Sequence, residues 1–282
     1  MTDHPLVTTQ WLADHLSSPD LVVINAWMPP VTHPDAPSIY PHAHIPGAVF
    51  FDVNEICEKN TDLPHMLPAP HVFSSAMRKL GVGDGQTIVV YDDFGFYSAP
   101  RVWWTLKSMG AERVHVLDGG FPKWRAEDRQ VEDIAPRRVQ SHFSSRLNHG
   151  AVADITHIRK VIETGSRQIL DARSTDRFSG DAPEPRAGLR SGHMPTAKNL
   201  PFTQLIADDG TFKPKSELFQ IYQDAGIDLE KPVTTSCGSG VTAAILTLGL
   251  TVLGARDLAL YDGSWSEWGA RDDTQVVTGP AE

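Results

Sequence analysis

The chain has 282 residues, of which 40% are hydrophobic and 21% charged, and its formal net charge at pH 7 is −10. This length is enough for one large domain or for two of about 140 residues, with a sizeable apolar core. The acidic balance argues against a broad surface for nucleic acid or an anionic membrane, while a local basic pocket could still bind a small anion.

The cysteines and the N-terminal segment predict where the protein resides. Two cysteines, Cys57 and Cys237, are too few for a disulfide framework, which favours a reducing compartment. The first residues lack a basic stretch followed by an apolar one, so no signal peptide is predicted. The longest apolar runs are too short and too rich in glycine to span a bilayer. We therefore expect a soluble, cytoplasmic protein without nucleic-acid or membrane partners.

In the first half, short apolar strands alternate with helical segments. Residues 70–81 have helical spacing and end at Gly81, a suitable C-cap. Residues 87–91 are β-rich and uninterrupted, as expected for a strand buried on both faces. A helix over 99–110 and a strand and turn over 113–120 follow.

A polar, charged stretch separates the halves. Residues 125–150 have this composition and predict a linker, with one extra strand around 137–143. The second half then repeats the alternation as helix, strand, helix and strand over 216–227, 232–236, 240–254 and 257–264. Such alternation favours a parallel sheet covered by helices. The predicted boundaries are an N-terminal domain over 1–138, a linker over 139–150 and a C-terminal domain over 151–282.

Four segments of the first half recur in the same order in the second. They are "LVVINAW" with "RQILDAR", "HAHIPGAVFFD" with "SGHMPTAKNLPF", "TIVVYDD" with "PVTTSCG", and "LDGGFPKW" with "YDGSWSEW". His44 precedes its match His193 by 149 residues, and Asp92 precedes its match Cys237 by 145. A period this long indicates duplicated domains.

Cys237 lies in "TTSCGSGVTAA", between a predicted buried strand and a predicted helix. In open α/β sheets, ligands bind at this corner. Gly238 and Gly240 let the backbone turn tightly so that its N–H groups point inward. Val241 and Thr242 open a helix whose positive end faces the loop. We therefore expect the pKa of the Cys237 thiol to be lowered, so that the nucleophilic thiolate is populated at neutral pH.

Two alternatives bear on this loop. Most free cysteines are small buried hydrophobic residues, but such a cysteine needs no Gly-Ser-Gly turn directly after it. Phosphatase loops carry an arginine six residues after the cysteine to bind phosphate with a planar fork. Here that position is Ala243, so hydrolysis of phosphate monoesters is disfavoured.

Three motifs of the chain resemble the two-domain rhodanese superfamily and, more closely, its 3-mercaptopyruvate sulfurtransferases. They are "CGSGVTA", "YDGSWSEWG" and "HIPGAVFFD", and the resemblance spans residues 5–275. Thiosulfate-using rhodaneses usually carry Arg and Lys directly after the cysteine, where this chain has Gly238 and Ser239. The resemblance implies an α/β fold of two tandem rhodanese-like domains, each a central, mostly parallel sheet flanked by helices. It also implies that the domains pack face to face around Cys237.

The resemblance further implies that only the C-terminal copy is catalytic, because Asp92 stands at the position that matches Cys237. In the implied reaction, the Cys237 thiolate takes the sulfur of 3-mercaptopyruvate as a persulfide and releases pyruvate. Backbone N–H groups of 238–242 stabilise the sulfur anion. A small thiol, a thioredoxin-like protein or cyanide then accepts the sulfur, and no cofactor is needed. A thiosulfate sulfurtransferase and a non-enzymatic persulfide carrier remain alternatives.

Two arginines match the family's substrate-binding residues. Arg177 in "DRF" and Arg186 in "PEPR" are implied to bind the carboxylate and keto oxygens of the donor. A guanidinium fork suits a carboxylate. The alternative is that these loop arginines are solvated or paired with neighbouring carboxylates, namely Asp176, Asp181 or Glu184.

Further residues have weaker assignments. Ser239 could bond to the thiolate or relay a proton to the departing enolate. His65 matches a histidine of the family that lines the cleft. The family has an acidic residue together with this histidine, but at the matching position this chain has Asn54, and the nearest carboxylate is Asp52. Arg190 has no matching role and is predicted to be structural.

The remaining candidates are predicted to be structural or uninvolved. His44 and His193 recur in both halves although only one half is catalytic, which favours a structural role. Asp171 and Arg173 are expected to pair at a strand end, and Cys57 is expected to take no part. No set of His, Cys and carboxylate residues has the spacing of a metal site.

Overall fold

The computed structural model describes residues 4–31 and 33–281 and divides into two compact units. The first unit contains the chain up to Lys59 together with residues 67–148 and 207–212. The second contains residues 60–66, 149–206 and the chain from Lys213 onward. Each half of the sequence therefore contributes one short segment to the unit built mainly by the other half.

In the first unit, the described residues form a five-stranded parallel sheet with flanking helices. The strands are β1 Leu6–Val7, β2 Leu21–Trp27, β3 Val49–Asp52, β4 Thr87–Tyr91 and β5 Arg113–Leu117. The helices are α1 Thr9–His15, α2 Pro70–Lys79, α3 Ala99–Ser108 and α4 Gly120–Ala126. The strand order is β1-β5-β4-β2-β3. All seven residues of β2 are buried, as expected for an inner strand covered on both faces.

The second unit repeats this design within its described residues. Its strands are β6 Val152–Ala153, β7 Gln168–Asp171, β8 Ala197–Asn199, β9 Val233–Ser236 and β10 Leu258–Tyr261. Its helices are α5 Ile155–Thr164, α6 Thr175–Ser179, α7 Lys215–Asp224, α8 Ala243–Leu253 and α9 Ser264–Trp268. The order β6-β10-β9-β7-β8 is that of the first sheet, position for position, and neighbouring strands are parallel. The predicted duplicated α/β fold is confirmed.

The central strand β9 is formed by Val, Thr, Thr and Ser, and all four residues are buried. β-Branched side chains pack well on a pleated surface, which explains why this short segment forms a strand. The helix that follows, α8, is buried over most of its length and ends at Gly254, whose φ of 93° is a left-handed C-cap. The strand and the helix hold both ends of the cysteine loop in the core of the unit.

The helix predicted over 240–254 begins later than expected, at Ala243, with Thr242 as its N-cap and Val241 in the loop. One prediction about secondary structure is wrong. Residues 137–143, all described, form no strand. Instead, the carbonyl of His142 accepts the N–H of Asp84, and the Phe143 side chain is 1% exposed in the core. This segment bonds to a turn, so it adds nothing to the sheet.

Membrane-spanning helices and metal-binding clusters are both absent from the described parts of the chain, residues 4–31 and 33–281. None of the helices there combines the length and the apolar character needed to cross a membrane. Nor do three or more His, Cys, Asp or Glu side chains come together there in a way that could hold a metal ion.

Candidate active site

Cys237 directly follows β9 at the carboxyl edge of the sheet and is 2% exposed. Its carbonyl accepts the N–H of Trp265 at 3.0 Å, and the Gly238 carbonyl accepts the N–H of Ser266 at 2.8 Å. Both donors lie in α9. In a trans peptide the N–H points opposite to the preceding carbonyl. The N–H groups of Gly238 and Ser239 therefore point away from α9, as an anion-binding loop requires.

Ser264, which the sequence reasoning missed, supports the cysteine from α9. Its hydroxyl accepts the N–H of Cys237 at 3.2 Å and donates to the carbonyl of Tyr261 at 2.8 Å. The φ of Ser264 is 48°, in the left-handed region that favours glycine. Gly120, which matches it in the first unit, has a φ of 56°. The replacement of glycine by serine between the two repeats is the signal that could have identified it.

The matching loop of the first unit encloses a carboxylate. The Asp92 side chain is fully buried, and its Oδ2 accepts backbone N–H groups at 2.7–2.9 Å. The donors to Oδ2 belong to Tyr97, Ser98 and Ala99. The N–H of Phe94 donates to Oδ1 at 2.9 Å. Burial raises the pKa of Asp92, while these hydrogen bonds act to lower it. The loop after this strand is thus built to surround an anion.

Backbone bonding shows that the two loops are equivalent. The carbonyl of Asp92 accepts the N–H of Phe121 at 3.0 Å, as the carbonyl of Cys237 accepts the N–H of Trp265 at 3.0 Å. Phe121 and Trp265 both lie in the first turn of the helix after the next strand. The predicted match of Asp92 with Cys237 therefore has a geometric basis.

We expect Asp92→Asn to destabilise the protein by about 3 kcal/mol, because an amide NH₂ would face N–H donors in a buried site. Chemical denaturation of the variant, followed by fluorescence, measures this change. Asp35, which is exposed, supplies the matched Asp35→Asn control, with an expected change below about 0.5 kcal/mol. Equal stability of the two variants would contradict the proposed anion-binding character of this loop.

Arg177 and Arg186 both approach the residue after the cysteine. A Cβ atom placed on Gly238 would lie 3.2 Å from Nη2 of Arg177 and 3.7 Å from Nη1 of Arg186. Arg186 Nη2 also donates to Oγ of Ser239 at 3.4 Å. The structure thus brings together the loop and the two arginines that the sequence predicted.

His65 reaches this cluster through the segment 60–66, which belongs to the second unit. Its Nε2 lies 3.5 Å from Nη2 of Arg186, and its φ is 61°. Asn54 and Asp52 lie in the first unit, where the N–H of Asn54 donates to Oδ1 of Asp52 at 2.8 Å. Cys57 donates to the carbonyl of Asn54 at 3.0 Å, and burial raises the pKa of its thiol.

Glu184 connects Arg177 to a buried ion pair. Its side chain is 1% exposed and accepts Nη2 of Arg177 at 2.6 Å and Nη1 of Arg173 at 2.8 Å. Arg173 also donates from Nη2 to Asp171 at 2.7 Å, so the predicted Asp171–Arg173 pair is present. The Arg173 guanidinium lies 4.2 Å from the centre of a Trp265 ring. Arg177 is therefore paired with a neighbouring carboxylate, which the sequence analysis gave as the alternative to donor binding, and this partner is Glu184.

The other arginine of this region has a different environment. Arg190 donates to the carbonyls of Gly269, Thr274 and Trp268 at 2.9–3.1 Å, which ties the loop after α9 to the rest of the second unit. These hydrogen bonds to backbone carbonyls fit the structural role that the sequence predicted for Arg190.

The two repeated histidines have equivalent surroundings. His44 is 1% exposed, and its Nδ1 lies 2.9 Å from the Tyr40 carbonyl, with the two rings stacked. His193 is 2% exposed, and its Nδ1 lies 2.9 Å from the Phe178 carbonyl, again with stacked rings. Both pack within their cores, in keeping with a structural role.

The chain matches one known protein family in two places. Two stretches, residues 8–127 and 155–271, match the model of the Rhodanese-like domain. The chain belongs to the rhodanese-like family. The two matches fall on the two halves of the repeat, so both units of this rhodanese-like chain have the family's fold.

Relatives of this rhodanese-like chain match it over nearly its full length. It is 42% identical to the 3-mercaptopyruvate sulfurtransferase of Escherichia coli (strain K12) over 272 residues, which cover 96% of each chain. It is 38% identical to the thiosulfate/3-mercaptopyruvate sulfurtransferase 1, mitochondrial, of Arabidopsis thaliana, covering 98% of this chain and 78% of that one.

A solved structure is similar as well. The crystal structure of SseA from Escherichia coli, described as a 3-mercaptopyruvate sulfotransferase, superposes with a TM-score of 0.86. The match has 39% sequence identity and covers 93% of this rhodanese-like chain and 99% of SseA.

Proposed function

We propose that this rhodanese-like chain is a sulfurtransferase that moves the sulfur of 3-mercaptopyruvate to a thiol acceptor through a persulfide on Cys237. The observation that supports this function best is the approach of Arg177 and Arg186 to Gly238, directly after the cysteine. 3-Mercaptopyruvate presents a carboxylate and a keto oxygen, both acceptors that guanidinium groups bind well. A donor held there has its sulfur close to the nucleophile.

In the first step, the Cys237 thiolate attacks the sulfur of the donor. The new S–S bond forms as the C–S bond breaks, and the bonding electron pair leaves with pyruvate as its enolate. Arg186 and Arg177 are placed to stabilise the negative charge that develops on the enolate oxygen. The enolate takes one proton and departs as pyruvate, while the donor's thiol hydrogen stays on the persulfide.

In the second step, an acceptor thiolate attacks the outer sulfur of the persulfide and releases the Cys237 thiolate. Backbone N–H groups of residues 238–242 stabilise the sulfur anions in both steps. Small thiols and a thioredoxin-like protein are the proposed acceptors, and cyanide serves in the test tube. The two free cysteines fit a reducing compartment, for which we propose the cytoplasm.

Ser239 and His65 are proposed to deliver the proton to the enolate. The Ser239 hydroxyl accepts a hydrogen bond from Arg186, whose Nη2 also lies 3.5 Å from His65 Nε2. A hydroxyl bound to a cation can pass on a proton while keeping that contact. The first unit is proposed to have no sulfur chemistry, because the Asp92 carboxylate occupies its loop.

We expect kcat/KM for 3-mercaptopyruvate to exceed that for thiosulfate by about 10-fold or more, since neither Gly238 nor Ser239 supplies a charge for a dianionic donor. Parallel assays of pyruvate and thiocyanate formation with cyanide as acceptor measure both values. The name of the plant relative includes thiosulfate, so thiosulfate transfer is the second candidate.

Each result of these assays has a distinct meaning. Equal or faster turnover of thiosulfate would favour the second candidate. A persulfide carrier would instead gain about 32 Da on Cys237 and keep it in the presence of small thiols. An enzyme would lose that mass and release pyruvate.

A further inference from the structure

Ser266 makes two hydrogen bonds to one carbonyl of the cysteine loop. Its N–H donates to the carbonyl of Gly238 at 2.8 Å, and its hydroxyl donates to the same carbonyl at 2.7 Å. Ser266 is 5% exposed, so water competes little for this carbonyl. A serine inside a helix often bonds back to a carbonyl of its own helix, three or four residues earlier. Here the hydroxyl reaches out of α9 to the loop instead.

The repeat shows that this pair of hydrogen bonds is not a requirement of the fold. Alignment of "LDGGFPKW" with "YDGSWSEW" places Pro122 at the position of Ser266. Pro122 is the third residue of α4, as Ser266 is of α9, and proline has neither a backbone N–H nor a hydroxyl to donate. The first unit therefore cannot form either bond, although it keeps the neighbouring bond from the Phe121 N–H to the Asp92 carbonyl. The pair belongs to the unit that contains Cys237.

The carbonyl that Ser266 binds is in the same peptide group as the N–H of Ser239. In a trans peptide these two groups point in opposite directions, so donors on the carbonyl hold the N–H toward the side away from α9. Gly238 has no side chain that would restrict rotation of this peptide, so contacts from outside the loop must fix it. Hydrogen bonds to the carbonyl also polarise the peptide and strengthen its N–H as a donor.

We infer that Ser266 is a positioning residue for the sulfur chemistry. It holds and polarises the Gly238–Ser239 peptide, so that the N–H of this peptide stabilises the sulfur anion. The inference rests on the proposed function of Cys237 as the nucleophile. In the first step Cys237 attacks as a thiolate, and in the second it departs as a thiolate, so a preorganised donor serves both steps. Because the donor itself is bound by the two arginines, Ser266 should affect kcat more than KM.

The first test compares Ser266→Ala, which loses one of the two bonds, with Ser266→Pro, which loses both. Pro122 at the matching position shows that a helix of this fold accepts proline there. We expect kcat for pyruvate release from 3-mercaptopyruvate to fall about threefold in Ser266→Ala and about 30-fold or more in Ser266→Pro, with KM within about twofold of the parent. Steady-state kinetics over a range of donor concentrations, with cyanide as acceptor, measure both constants.

Alkylation of Cys237 by iodoacetamide measures stabilisation of the anion without turnover. In Ser266→Ala the alkylation rate at pH 7 should fall about threefold, whereas the limiting rate at high pH should stay within about twofold of the parent. A structural loosening of the loop would instead change both rates alike. Peptide mass mapping separates the adduct of Cys237 from that of Cys57, the other thiol.

Thr251→Val is the matched control for loss of a hydroxyl. Thr251 lies in the same unit, toward the far end of α8, and donates its hydroxyl to the Thr247 carbonyl at 2.8 Å. This variant should keep kcat, KM and both alkylation rates within about twofold of the parent.

The outcomes separate the inference from the function beneath it. A folded Ser266→Pro protein with parental kcat would overturn the inference, as would equal changes of the alkylation rate at pH 7 and at high pH in Ser266→Ala. A rise in KM with kcat unchanged would also contradict it. If Ser266→Pro does not fold, Ser266→Ala decides the inference by the same two measurements. A parent chain inactive on both 3-mercaptopyruvate and thiosulfate would refute the proposed function, and the alkylation rates would still decide the role of Ser266.

Discussion

Cys237→Ser is expected to lower the rate of pyruvate release from 3-mercaptopyruvate by at least about 10³-fold. A serine hydroxyl is a far weaker nucleophile than a thiolate at neutral pH, and it forms no persulfide. The substitution should preserve the fold, because serine is close to cysteine in size and the backbone hydrogen bonds of Cys237 to Trp265 and Ser264 are kept. Steady-state assays and intact-mass measurement after incubation with the donor test both points.

Cys57→Ser is the matched control, since Cys57 is the other thiol in the chain and lies in the first unit. It should keep parental turnover and the mass increase of about 32 Da. Normal turnover by Cys237→Ser, or loss of the adduct on changing Cys57 alone, would contradict the assignment of Cys237 as the nucleophile.

Arg186→Ala should lower kcat/KM for 3-mercaptopyruvate by about 10²–10³-fold, because it removes a charge-assisted, two-pronged contact from a partly buried site. Its guanidinium lies near Gly238 and donates to Ser239, so the loss would affect both binding of the donor and protonation of the enolate. Arg186→Lys keeps the charge but not the planar fork and should recover only part of the loss. Initial-rate kinetics over a range of donor concentrations separate KM from kcat.

Arg256→Ala provides the control for Arg186, because Arg256 is exposed and lies in the same unit. Its kcat/KM should stay within about twofold of the parent value. If Arg186→Ala behaved like Arg256→Ala while remaining folded, Arg186 would have no part in donor binding, and the arginine assignment would fail.

The sequence alone determined the fold and singled out Cys237 as the proposed nucleophile. The fold followed from the repeat, since both halves alternate apolar strands with helical segments, and this pattern reflects local burial. The expectation that Cys237 lies in a tight, anion-binding turn followed from the glycines beside it, because tight turns have a strong local sequence signature. The matching residue Asp92 could be found because the repeated segments "TIVVYDD" and "PVTTSCG" align, and each of the two residues directly follows its strand.

Only the tertiary structure decided which side chains meet at the loop. His65 precedes Arg186 by 121 residues, and no local periodicity indicates that the segment 60–66 joins the second unit. The sequence offered three carboxylates as partners for Arg177, and the packing around Arg173 selected Glu184 among them. Such contacts depend on how distant segments pack and on which charges become buried, and neither is encoded in the order of neighbouring residues.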